Sequence, residues 1–150
     1  HYRRDERNPL IVGVEPLDAN CIQVSAEAGD ITAVPGPHKS IMVGLNCGTP
    51  SLIAWPLVSK GVDWFTAVDD EAARTAMRDL ASIGIVAGET GAASLAGLEA
   101  LLASDEWSAE GRDLSAATVL IVVTEGATDP DAYEAITGRP PEAIGRVMTA

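Results

Sequence analysis

Short apolar runs rich in Val and Ile alternate along this chain with longer stretches whose apolar residues recur every three or four positions, the signature of an α/β protein. The spacing predicts four strands, at Leu10–Val14, Trp64–Val68, Ile83–Ala87 and Val119–Val123. The first is ended by Glu15 and Pro16. None alternates strictly with polar residues. Runs apolar on both faces belong to sheets covered by helices on both sides, so the predicted architecture is a three-layer αβα domain with a mainly parallel sheet.

The intervening segments carry helix signals. Asp69 or Asp70 caps a helix with Glu71 in its first turn, Ala73, Met77 and Leu80 forming its apolar stripe and Arg74 and Arg78 facing water. A second helix starts near Thr90. Leu95, Leu98 and Leu102 give it one stripe, and Ala92, Ala93, Ala96 and Gly97 would let it lie close to the sheet. The pair Asp129-Pro130 reads as an N-cap followed by proline at the first helical position, with Gly138 just past the end. Asp18–Ala28 and Lys39–Lys60 also read as helical, the latter broken around Gly48–Pro50. There is no internal repeat or linker, and 150 residues make one domain.

Composition narrows the functional classes. A net charge of -12 repels nucleic acid and anionic membrane, so any phosphate must be held locally. The longest apolar run, Ala116–Val123, is too short to span a bilayer, and the first seven residues lack the apolar segment of a signal peptide, which makes the cytoplasm the expected compartment. Cys21 and Cys47 form no Cys-x-x-Cys pair and are expected to be reduced, buried thiols. The charged stretch His1–Arg7, without an initiator methionine, runs straight into the first strand as though a preceding helix had been cut, and the chain reads as a fragment.

In an open parallel sheet, ligands bind beyond the carboxyl ends of the strands. Three segments qualify: Gly88-Glu89-Thr90-Gly91-Ala92-Ala93, Thr124-Glu125-Gly126-Ala127, and Ser40–Leu45 with the following Cys47–Ser51. Glycines in such turns let the backbone approach a ligand, and a helix start offers unpaired N–H groups. Walker, Gly-x-Gly-x-x-Gly, His-Glu-x-x-His and Gly-x-Ser-x-Gly spacings are all absent. Asp69, Asp70, Asp129 and Asp131 have the chemistry of metal ligands, but helix capping accounts for them. Spacing alone therefore yields no enzyme.

Taken together, the segments Ile11-Val12-Gly13-Val14-Glu15-Pro16, Ser40–Ser51 (SIMVGLNCGTPS), Trp55, Gly88-Glu89-Thr90-Gly91-Ala92 and Val122-Val123-Thr124-Glu125-Gly126 resemble the carboxyl-terminal part of the pyridoxal-phosphate enzymes of the tryptophan synthase β fold type (fold type II), and among them the diaminopropionate ammonia-lyases. The resemblance runs nearly the whole chain. It implies that Thr124 faces the pyridine nitrogen of pyridoxal 5'-phosphate, that Gly88, Glu89 and Thr90 edge the ring, and that Gly44 leaves room beneath it. A neutral hydroxyl partner suits β-elimination, because the leaving group departs before a fully delocalised carbanion must be stored. Read without the resemblance, Thr124 is a β-branched residue ending a strand and Glu89 a carboxylate favoured by a helix dipole.

The family anchors its cofactor through a Schiff-base lysine and a glycine-rich phosphate loop, both upstream of the matched region. The only lysines here, Lys39 and Lys60, match neither motif, and no carboxylate takes the role of the family's catalytic acid. The expectation is the carboxyl-terminal part of an ammonia-lyase whose parent eliminates the β-amino group of 2,3-diaminopropionate to give pyruvate and ammonia, the fragment itself being inactive. A binding or subunit-interaction module that lost its chemistry, and a threonine or serine dehydratase, are the alternatives. A small amino-acid substrate, no nucleic acid, no membrane and a homodimer paired along exposed strands complete the expectations.

Overall fold

The computed structural model describes residues 9–112 and 115–144, and the leader His1–Arg7 lies outside them. Two strands, β1 (Val12–Pro16) and β2 (Trp64–Val68), pair in parallel, Val12 opposite Trp64 and Pro16 opposite Val68. Among the described residues seven α-helices accompany them: α1 (Cys21–Ala28), α2 (Trp55–Gly61), α3 (Asp70–Ser82), α4 (Glu89–Ala103), α5 (Asp105–Ala109), α6 (Pro130–Thr137) and α7 (Pro141–Ile144). Helices flanking a small parallel sheet make this a partial αβα domain of the expected class.

The capping chemistry appears where the sequence places it. Asp69 accepts from the Ala72 amide at the start of α3, and Ala73, Met77 and Leu80 are buried while Arg74 and Arg78 pair with Glu71 on the outside. Asp129 accepts from the Ala132 amide, Pro130 opens α6, and Gly138 closes it at φ 74°. The α3 and α4 helices pack against each other and, with Met42, Val68, Ala87, Tyr133 and Ile144, form the core.

The structure corrects several expectations. The first strand begins two residues later than predicted and includes Glu15 and Pro16, because Pro16 still faces Val68 across the ladder. Ile83–Ala87 is not a strand. Gly84 terminates α3 in the left-handed region at φ 85°, and the amides of Ile83 and Ile85 turn back to the carbonyl of Leu80, spending the groups a ladder would need. Val119–Val123 has no assigned secondary structure and no ladder partner among the described residues. The Lys39–Lys60 stretch is mostly irregular, with a single 3-10 turn at Val43–Leu45 before α2. On α4 the small residues Ala92, Ala93, Ala96 and Gly97 are buried, as their predicted close approach to the sheet requires, whereas of the leucine stripe Leu102 is exposed and Leu95 and Leu98 are half-buried. Cys21 is buried as expected, but Cys47 is exposed.

The close approach of α4 has a steric basis. A Cβ on Gly97 would lie 2.6 Å from Val14 Cγ1, so only a residue without a side chain lets the helix axis come this near β1.

Candidate active site

The loop after α3, the start of α4 and the turn after Val123 meet at one place. The Gly88 amide donates to the Glu125 carbonyl at 3.1 Å. Cβ atoms on Gly88 and Gly91 would collide with the carbonyls of Gly126 and Glu125. These glycines therefore admit the neighbouring turn of the chain itself. Thr124 stands one residue before this contact and is exposed, and Glu89, half-buried, opens α4. Glu125 carries its own brace, since its Oε1 accepts from Thr128 Oγ1 at 2.6 Å.

The third segment joins through Thr90. Its Oγ1 accepts from the Gly44 amide at 3.2 Å, and a Cβ on Gly44 would sit 3.1 Å from Thr90 Cγ2. Gly44, Gly88, Glu89 and Thr90 are thus brought together with the Thr124–Gly126 turn. Ser40 and Asn46 set the shape of the Gly44 loop, two residues to which the sequence alone gave no role. Asp70 Oδ1 accepts from Ser40 Oγ at 2.7 Å and from the Ile41 amide at 3.1 Å, while Asn46 Nδ2 donates to the Ser40 carbonyl at 2.7 Å. The other end of that amide is an orphan: Asn46 Oδ1 is buried without a partner, an acceptor that costs free energy until a donor reaches it. Their place in the SIMVGLNCGTPS segment was the only available signal.

A cleft of about 260 Å³ opens nearby at the carboxyl ends of β1 and β2, rimmed by Pro16, Asp18, Ser40 and Asp70. Two of its carboxylates are engaged, Asp69 in capping α3 and Asp70 in holding the Ser40 loop. Among the described residues no group of three or more His, Cys, Asp or Glu side chains converges as a metal site would require. Behind the cleft, Glu15 accepts from the amides of Ile22 and Gln23 at 2.9 and 2.8 Å, yet burial raises its pKa. Cys21 is pushed up to about 12, chiefly by burial and then by the Glu15 charge. It is an inert thiol.

An open parallel pair with glycine-bearing turns gathered beyond its strands is the construction of an α/β enzyme that binds its ligand at strand ends. Comparison with known proteins makes the class specific. The family described as pyridoxal-phosphate dependent enzyme matches residues 1–125. The chain belongs to this family. It is 34% identical to the diaminopropionate ammonia-lyase of Salmonella typhimurium over 145 residues, covering 89% of this chain and 36% of that one. The Escherichia coli diaminopropionate ammonia-lyase is 32% identical over 139 residues, 87% of this chain and 35% of that one. The solved structure of the Escherichia coli enzyme in complex with D-serine superposes with a TM-score of 0.71 at 30% identity, over 87% of this chain and 34% of that one. The T.th. threonine deaminase superposes with a TM-score of 0.62 at 28% identity, over 66% of this chain and 36% of that one. The chain spans about a third of the length of the curated relatives it matches.

Pyridoxal phosphate is the family's cofactor. The groups here that could meet one part of it are the exposed Thr124 hydroxyl and the unpartnered acceptor Asn46 Oδ1, since the Gly44 and Gly88 amides already donate to Thr90 and Glu125. They do not supply a covalent anchor. Lys60 lies in the last turn of α2 on the amino side of β2, away from the strand ends, and Lys39 is an exposed residue beside Ser40.

Proposed function

We propose that this chain supplies the ring-edge half of the cofactor site of a pyridoxal-phosphate ammonia-lyase that releases pyruvate and ammonia from 2,3-diaminopropionate. The observation that carries the reading is the convergence of the Gly88–Gly91 turn on Glu125–Gly126, with Gly44 held to Thr90, in a chain of this family. Thr124 presents its hydroxyl to the ring nitrogen, Gly88, Glu89 and Thr90 line the ring edge, and Gly44 lies against its face. When bound, the cofactor supplies an electron sink for elimination. A neutral hydroxyl at Thr124 would not require the ring nitrogen to be protonated, and Glu89 and Thr90 would stand at the ring edge. The covalent lysine and phosphate loop come from chain beyond this region, so these residues alone are inactive. The homodimer and the cytoplasmic setting belong to the same proposal.

A chimera tests it, with this chain replacing the matching third of the Salmonella typhimurium enzyme. Turnover of 2,3-diaminopropionate above that of threonine is expected. Thr124→Val should lower kcat roughly three- to tenfold, the worth of one hydrogen bond of about 0.5–1.5 kcal/mol. Preference for threonine, favoured by the likeness to threonine deaminase, would replace the substrate assignment, and an unaffected Thr124→Val would refute the role of the hydroxyl.

A further inference from the structure

Two adjacent carboxylates stand at the start of α3, and the helix uses one of them. Asp69 caps it, accepting from the Ala72 amide at 2.8 Å. Asp70 spends its Oδ1 outside the helix, accepting from Ser40 Oγ at 2.7 Å and from the Ile41 amide at 3.1 Å. Capping accounts for the first carboxylate and not for the second.

Apart from the 3-10 turn at Val43–Leu45, residues 40–46 have no regular structure, so their backbone groups need partners elsewhere. They find them around Ser40, which is 5% exposed. Its Oγ donates to Asp70 and accepts from the Met42 amide at 3.1 Å, and its carbonyl accepts from Asn46 Nδ2 at 2.7 Å. The Val43 and Leu45 amides return to the carbonyls of Ile41 and Met42 at 2.8 and 2.9 Å, so the loop is wound as one unit, with Met42 fully buried in the core. One end of this unit is fixed on Asp70. The other reaches the candidate site, where the exposed Gly44 amide donates to Thr90 Oγ1 at 3.2 Å. The Asp70 end is the stronger hold, because hydrogen bonds to a carboxylate are roughly twice as strong as neutral ones and the Ser40 hydroxyl is shielded from water.

We propose that Asp70 is a positioning residue of the candidate site: through Ser40 and Ile41 it holds the 40–46 loop in the conformation that sets Gly44 beside Thr90. Without Asp70 the Ser40 hydroxyl and the Ile41 amide lose their common acceptor, and the loop that presents Gly44 loses its footing. The proposal rests on the reading of Gly44 as part of the cofactor site.

Amide exchange, followed residue by residue by NMR on this chain, reads the loop. In Asp70→Ala, exchange at Met42, Gly44 and Leu45 should quicken at least about tenfold relative to Ala76 and Met77 in α3. Ser40→Ala should do the same while leaving α3 untouched. Asp70→Asn keeps an acceptor oxygen and should stay within about threefold of the parent. Asp69→Ala weakens the same helix without touching the loop and should leave the ratio unchanged. In the chimera with the Salmonella typhimurium enzyme, the dissociation constant for pyridoxal phosphate, titrated by absorbance without substrate, should rise at least about fivefold for Asp70→Ala and Ser40→Ala and return with Asp70→Asn, as the competent fraction of the loop falls and recovers. A loop unmoved by Asp70→Ala, one loosened equally by Asp69→Ala, no rescue by Asp70→Asn, or a loosened loop with cofactor affinity unchanged would each overturn the proposal. Failure of the functional reading looks different: the unsubstituted chimera would itself take up no pyridoxal phosphate, or turn over no 2,3-diaminopropionate.

Discussion

Gly97→Ala adds one methyl group where α4 crosses β1. The new carbon would stand 2.6 Å from Val14 Cγ1 and 3.0 Å from Val14 Cβ, whereas carbon atoms in contact rest about 3.5–4.0 Å apart. Relief requires a shift of about 1 Å. Val14 cannot swing clear, because a β-branched side chain in a strand has little freedom at χ1, so the helix must lift from the sheet. Overpacking of this kind costs about 1–3 kcal/mol, and the stiffness of Val14 places it toward the upper end. Alanine regains about 1 kcal/mol of helix propensity, leaving a net loss of about 2 kcal/mol. Urea unfolding reads this as a midpoint lowered by about 1 M for a slope near 2 kcal/mol/M, with the slope unchanged. Gly61→Ala is the control: no atom lies within 4 Å of its Cβ, and stability should hold or rise by up to about 1 kcal/mol. In a double-mutant cycle, Val14→Ala should rescue Gly97→Ala, with a coupling of about 0.5–3 kcal/mol. A Gly97→Ala variant as stable as the parent, or an additive cycle, would refute the close crossing.

Further outcomes follow from the same contacts. Asp69→Ala removes the acceptor for the Ala72 amide and should cost about 1 kcal/mol in thermal or urea unfolding. Glu99 has its pKa raised by burial and by Asp79, so the folded state holds its proton longer than the unfolded chain; stability from this group is full below about pH 4.5 and falls as pH rises through the folded pKa. Glu99→Gln should flatten that decline of stability as pH rises above about 4.5, read by urea unfolding over a pH series. Ellman's reagent should titrate exposed Cys47 at once at pH 8 and reach Cys21, held up at about 12, only as the chain unfolds.

Local chemistry was legible in the sequence, and so were the two strands that pair, Trp64–Val68 to the residue; the other two predicted strands form no ladder among the described residues. The caps at Asp69 and Asp129, the stop at Gly138 and the α3 stripe depend on neighbours within a turn or two, and all stand as read. Ile83–Ala87 and Val119–Val123 have strand-like composition, but a strand exists only through a partner. Gly84 diverts the first into a helix stop, and the second faces an open groove. On α4 the small residues were read correctly as the face that approaches the sheet, while the leucine stripe is only partly covered, Leu102 being exposed. At the candidate site the quoted motifs mark turns that do meet in space. What they touch was hidden, because a carbonyl pressing on a glycine leaves no mark in composition.

The α4 helix is pinned at both ends of its small-residue face, to the Glu125–Gly126 turn at Gly91 and to Val14 at Gly97, with Thr90 tied to Gly44 beside the first pin. Both contacts sit on one helix, so the closeness of α4 to the Glu125–Gly126 turn and its closeness to β1 are set together, and a side chain added at either glycine must be accommodated by moving the same element.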